Sequence, residues 1–239
     1  LSRLPDGVDL RASRLWNDMG AAMAADLPRL FALAAPFTLL VSVAIGLFGP
    51  PPPTEAFEFT GPQLLWLLVV PSLAASAAQL IVNAMVLRPD LAPRMSLAAG
   101  LSAWPVMLLY QLIVAVPLGL ALLALVVPAL WLFARLAFVV GPVVICETRD
   151  PMALLRRTWD LTRGHDLQLA LFVVLGLFGV IGIGMLADIA GSAAQVVAKL
   201  AGLDGFGRFL RALLPGIGAT FTTIGAGVAS AIAYRQLVR

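Results

Sequence analysis

The sequence predicts an all-α fold: a polytopic membrane helical bundle of six transmembrane helices plus short interfacial helices. Three observations predict it. Apolar residues make up 61% of the 239 and charged residues 12%, about half the charged share of ordinary soluble domains. The apolar residues fall into six runs, each near the ~20 residues that cross a bilayer. The basic residues sit in the short connections between runs, where anionic headgroups and the orientation rule account for them. A soluble fold of this length could not cover so much apolar surface.

The elements follow in order. Residues 1–29 form an N-terminal amphipathic segment and 30–239 the six-helix transmembrane domain. Within Leu10–Pro28, Leu15, Met19 and Met23 recur at i, i+4 and i+8 with Trp16 and Leu27 alongside, while Arg11, Arg14, Asp18 and Asp26 stay polar. Such a helix lies in the headgroup layer with Trp16 at the interface, or packs on the protein's own inner face; the pattern leaves both open. No signal-peptide pattern is read from Leu1 onward.

The first span runs from Leu30 to Phe48 across Pro36. Gly49 and the prolines 50–53 make an extended linker, followed by Glu55 and Glu58. The second span covers Pro62–Leu87, closed by the charged turn Arg88-Pro89-Asp90 and Pro93-Arg94. Met95–Trp104 is expected to form a first turn or a half-helix ahead of the third span, Pro105–Leu123. The fourth runs from the turn at Val126-Val127-Pro128 to Cys146. No charge falls between Leu112 and Val127, so these two spans form a hairpin barely leaving the membrane.

Asp150-Pro151 reads as N-cap and N1 proline, and Gly164 as the C′ glycine of a short polar helix. Its Met152, Leu155 and Trp159 share one face, and Arg156, Arg157, Arg163 and Trp159 are candidate headgroup contacts. The fifth span is Leu167–Leu186. A mixed segment, Asp188–Arg211, broken at Gly202–Gly207, leads to the sixth span, Leu213–Tyr234.

Charge predicts sidedness. With the N-terminus inside, the inner segments carry Arg3, Arg11, Arg14, Arg29, Arg88, Arg94, Arg149, Arg156, Arg157, Arg163, Arg235 and Arg239; the outer ones carry Lys199, Arg208 and Arg211. The rule that positive loops stay inside puts both termini in the cytoplasm. The net charge of +3 is therefore assigned to lipid rather than to nucleic acid. One cysteine, Cys146, excludes an intramolecular disulfide or a cysteine cluster, and a single histidine, His165, argues against a histidine metal site. No cofactor is expected.

The stretch Arg135-Leu-Ala-Phe-Val-Val-Gly-Pro-Val-Val-Ile-Cys-Glu147, then Asp150-Pro-Met-Ala-Leu-Leu-Arg-Arg-Thr-Trp-Asp-Leu-Thr-Arg-Gly-His165, resembles the signature of the YciC-like bacterial inner-membrane proteins. It is also similar to the membrane domain fused to some glycerophosphoryl diester phosphodiesterases. The matching positions are Pro142, Glu147, Ala153, Leu154, Thr158, Trp159, Leu161, Thr162 and Gly164, with Thr158 where serine is commoner. The resemblance implies a six-span fold in a bacterial inner membrane and a basic tail. With no soluble phosphodiesterase domain in the sequence, it implies no phosphodiesterase activity.

Arg135 is the polar group most in need of a reason, because a cation within a span costs a few kcal/mol. Its candidate partners are Asp188, Gln111, Tyr110, Thr220, Thr222 and Thr223, and it acts either as a pin between helices or as part of a polar cavity for an anionic ligand. Gln79 and Asn83, four apart on one face of the second span, are expected to hydrogen-bond between helices. Glu147 is expected to pair with Arg149. Gly176, Gly179 and Gly182 on the fifth span, and Gly225, Ala229 and Ala233 on the sixth, form small-residue faces suited to close packing within the chain or with another copy or partner.

No His-Glu-x-x-His, Gly-x-Ser-x-Gly or paired intramembrane acid is present. The expected function is therefore a non-enzymatic accessory, scaffold or assembly subunit of a membrane complex, in contact with membrane lipids. The alternative is a transporter or lipid-handling permease using a polar cavity near Arg135.

Overall fold

The computed structural model describes residues 12–51, 53 and 58–238; Arg3, Leu10, Arg11, Pro52, Glu55 and Arg239 lie outside them. The described residues contain no strand. The helices are α1 (Ala12–Phe48), α2 (Gly61–Leu64), α3 (Val70–Leu87), α4 (Pro93–Ala124), α5 (Val126–Leu136), α6 (Val140–Cys146), α7 (Pro151–Thr162), α8 (Asp166–Leu200) and α9 (Asp204–Leu237). A π-helical stretch, Leu65–Val69, joins α2 to α3. Six stretches are long and apolar enough to cross a membrane, and the chain is an all-α, multi-pass membrane protein.

Proline shapes several of these helices. The N-terminal amphipathic segment and the first span form one helix, kinked at Asp26 (φ −127°, ψ 16°) two residues before Pro28, where the proline ring obstructs the preceding turn. The segment packs on the protein itself: Leu15 is fully buried, Trp16 meets Phe172 edge-on at 6.0 Å, and Asp18 accepts from Gln236 at 3.0 Å. Thr60 caps α2 reciprocally with Gln63. The π-helical turn directly precedes Pro71, whose missing N–H leaves the regular ladder incomplete. Met95–Trp104 is not a separate half-helix, because α4 runs unbroken through Pro105 and Pro117.

Small residues set the packing where lipid supplies no hydrophobic push. α1 and α9 lie antiparallel, with Thr38 and Thr220 hydrogen-bonded at 2.7 Å and Gly216 against Leu39 and Ser42. Gly227 brings α9 onto Val82 of α3. The helix that carries the fifth span does not stop near Leu186. α8 continues to Leu200 and pairs with α9 through a turn at Gly202 (φ +74°), so the mixed segment is a helical hairpin.

The surface divides the molecule into two layers. Exposed large apolar side chains crowd residues 40–48, 64–69, 109–133 and 167–209, and are scattered elsewhere. Exposed charges crowd the opposite end, at Arg29, Arg88, Arg94, Arg149, Arg156, Arg163 and Arg235. That basic end is knitted together: Arg88 donates to the Ile145 carbonyl at 2.8 Å, Arg149 to Ser102 at 3.1 Å, and Arg235 to the Val86 carbonyl. Most buried polar side chains also belong to this half, among them Asn83, Ser96, Thr158, Thr162 and Ser230.

The thickness of the apolar layer follows from α8. Its uncharged stretch from Leu167 to Ala187 is about 32 Å long at 1.5 Å per residue, close to the ~30 Å of a hydrocarbon core. Asp166 and Asp188 bound this uncharged stretch, and exposed apolar side chains continue along α8 to Leu200. The basic layer beyond Asp166 is folded protein continuous with the spans.

Candidate functional site

The fourth span is not one helix. α5 ends at Leu136, the backbone leaves helical geometry at 137–139, and α6 resumes at Val140. Such a break strands carbonyls that lipid cannot satisfy, so it persists only where protein covers it. The Ala137 and Phe138 amides both donate to the Phe133 carbonyl, at 2.8 and 3.2 Å. Tyr110 of α4 donates to the Leu136 carbonyl at 2.7 Å, and Thr162 of α7 reaches the Arg135 carbonyl at 3.5 Å.

α7 is therefore the plug of this break. Its start follows from Asp150, whose carboxylate accepts from the Met152 and Ala153 amides at 3.2 and 3.3 Å, with Pro151 at N1. Its end follows from Gly164 at φ +88°, a backbone region costly for other residues. The buried face is Leu154, Thr158 and Thr162, offset from the face that Met152, Leu155 and Trp159 share. The threonine hydroxyls are satisfied by their own helix, Thr158 donating to the Leu154 carbonyl at 2.9 Å and Thr162 to the Thr158 carbonyl at 2.8 Å, so both can turn inward, where Thr158 lies 3.2 Å from the Tyr110 hydroxyl. Met152 and Trp159 are left on the surface.

Arg135, the last charged group of α5, sits at this junction. Its Nε lies 2.8 Å from Asp166 Oδ1, with side-chain exposures of 8% and 33%. The contact is electrostatic, since neither atom has a well-aligned hydrogen bond. The guanidinium stands 4.0 Å from the ring centroid of Trp159 and 5.0 Å from that of Trp131, and the two indoles meet edge-on at 6.0 Å. Arg135 is thus held at the edge of the lipid-facing zone and not deep within a span.

None of the predicted partners forms this ion pair. Asp188 binds Arg211 at 3.2 Å, at the opposite edge. Gln111 is exposed on α4. Thr220 pairs with Thr38, while Thr222 and Thr223 bond back to the Ala219 carbonyl. Tyr110 is near, but serves the neighbouring carbonyl of Leu136. Asn83, fully buried, accepts from Ser230 at 2.9 Å, a bond between helices as expected; half-buried Gln79 makes no side-chain bond among the described residues. Asp166 and Trp131 escaped the sequence reading. Trp131 and Arg135 share a face of α5 at i, i+4, a usable signal; nothing local joins them to Asp166.

The candidate headgroup contacts divide. Arg156 and Arg163 are exposed and form no ion pair among the described residues, whereas Trp159 is stacked on Arg135. Arg157 is held by Glu147, its Nε 2.5 Å and its Nη2 3.2 Å from the carboxylate. Tyr234 donates to the same carboxylate at 2.7 Å. Glu147 pairs with Arg157 rather than Arg149, because α7 folds back alongside α6 and brings Arg157 to it. Burial would push the Glu147 carboxyl up, but the bonds from Arg157 and Tyr234, with the guanidinium charge, hold it below the usual carboxylate value. Glu147 and Arg157 border a surface depression of about 560 Å³ lined also by Asp150, Met152 and Arg156. A second, of about 180 Å³, lies between Asp18 and Arg235. Arg135 lines neither.

Among the described residues no group of acidic, histidine and cysteine side chains is arranged to hold a metal ion. No family model, curated protein or solved structure matches the chain.

Proposed function

We propose that the chain is a non-enzymatic accessory, scaffold or assembly subunit of a membrane complex, acting through helix faces left open within the bilayer. The observation that carries this reading is the state of α8. It is the least buried of the six candidate spans, and a Cβ added at Gly176, Gly179, Gly182 or Gly184 would meet nothing within 4 Å. The small-residue face of α9 differs, since Ala229 and Ala233 are buried within the chain. Small residues are most useful where another backbone approaches, and at these four glycines of α8 none does so within this protomer. The ion-paired, aromatic-covered Arg135 favours a pin over a transport cavity.

The basic layer, read with the positive-inside rule, supports a cytoplasmic location for that end. The likeness of Pro142 to Gly164 to the YciC-like signature supports a bacterial inner membrane. The test is a Gly179→Cys, Cys146→Ser chain, cross-linked in native membranes and purified in mild detergent. Linkage to a second copy or to one reproducible partner is the expected result. A strictly monomeric, partnerless protein contradicts the proposal.

A further inference from the structure

We propose that the Arg135 cluster is a binding site for the phosphate of a phospholipid headgroup, with the lipid's acyl chains lying along α5 and α8. This goes beyond a scaffold role: it assigns a specific lipid to one edge of the bundle.

Three observations carry it. The first is unused donor capacity. The Arg135 side chain is more than nine-tenths buried, yet only Nε faces a carboxylate. Neither terminal nitrogen has a hydrogen-bond partner among the described residues. Nε and Asp166 Oδ1 are closed off from the surface, while the terminal nitrogens are not among the closed-off atoms. A guanidinium with its two outer nitrogens free presents the fork that matches two phosphate oxygens.

The second is position. Asp166 is the boundary between the polar turn 163–165 and the uncharged stretch of α8, which is the depth of headgroup phosphates. Trp131 and Trp159, 38% and 37% exposed, flank the guanidinium at that depth, as interfacial aromatics do. Exposed Arg163 stands on the same turn and adds positive potential.

The third is the surface that continues from the site into the membrane. Trp131 on the Arg135 face of α5 and Leu167 and Leu171 on α8 are exposed, where these two helices pack together near Arg135. A headgroup anchored at the guanidinium would lay its chains on these residues. Asp166 already balances the charge of Arg135, so the site offers phosphate the free donors of the guanidinium and the positive potential of exposed Arg163.

The experiment uses the full chain, purified in mild detergent, stripped of lipid, and offered phosphatidylglycerol, phosphatidylcholine or inorganic phosphate. Retained ligand is read by native mass spectrometry. Wild-type protein is expected to retain phosphatidylglycerol. The paired variant Arg135→Leu with Asp166→Leu removes both charges together, so the fold is kept, and retention should fall about tenfold or more, the loss of charge-assisted bonds. Arg135→Lys keeps the charge without the fork and should fall in between. Arg208→Gln, at the far end of the bundle, should retain lipid as wild type does. Parallel retention of phosphatidylcholine would show that the phosphodiester itself is recognised. Equal retention by wild type and the paired variant overturns the proposal, and so does binding of inorganic phosphate without lipid.

Discussion

Replacing Asp166 with leucine isolates the energetics of the junction. The substitution leaves Arg135, 8% exposed, without its counterion beneath two indoles. Orphaning one member of a buried ion pair costs about 3–5 kcal/mol. Here the lower end applies, because Asp166 is one-third exposed and the terminal nitrogens of Arg135 open towards the surface. The cation–π contacts with Trp131 and Trp159 remain and soften the loss further, at about 1 kcal/mol each. We expect destabilisation of about 2–3 kcal/mol, read as a shift of the unfolding midpoint in dodecyl maltoside titrated with dodecyl sulfate. Adding Arg135→Leu removes the stranded cation, and the paired variant should recover to within about 1 kcal/mol of wild type. If the paired variant is no more stable than Asp166→Leu alone, the two residues are not coupled and the ion pair is not what holds the junction.

Three further outcomes follow from the packing. A methyl group added by Gly141→Ala would collide with the buried amide of Asn83; overpacking of this kind costs about 1–3 kcal/mol, and Asn83→Ala in the same chain should recover part of it in the same titration. Tyr110→Phe leaves the Leu136 carbonyl without its 2.7 Å donor, at about 1–3 kcal/mol, and should speed hydrogen exchange at 137–140 while leaving α8 unchanged. The Glu147 carboxyl is depressed in the folded protein, so its stabilisation is full above the unfolded carboxylate value and is lost as pH falls through the lower folded one. Glu147→Gln should therefore be less stable at neutral pH and should lose less than wild type on acidification, as seen in the pH dependence of the melting temperature.

Much of the architecture was legible in the residues because lipid imposes simple rules. An apolar run of sufficient length becomes a helix in a bilayer, since only internal hydrogen bonds can satisfy its backbone. The cap at Asp150-Pro151 and the glycine at 164 likewise read correctly, because capping is decided within one turn of chain. Helix continuity was less legible. Pro105 and Pro117 left α4 intact, whereas the fourth span broke at 137–139, where no proline stands. That break depends on Tyr110 arriving from α4 to take the freed Leu136 carbonyl, and no local pattern announces a partner so distant in sequence.

The candidate site shows the same division. That Arg135 needed a counter-charge was evident from its place in an apolar run, because an unpaired cation there is costly. That the counter-charge is Asp166 and not Asp188 was decided by α7, which carries the chain back beside α6 and delivers the start of α8 to the end of α5. By itself the sequence determined the solvent, the helical content and the clustering of arginines, all consequences of composition and local periodicity. The tertiary structure alone decided depth and pairing: which side chains lie at the lipid edge, and which charges meet. Those depend on where helices cross, and crossing is set by small residues and backbone breaks whose effect exists only once the other helix is in place.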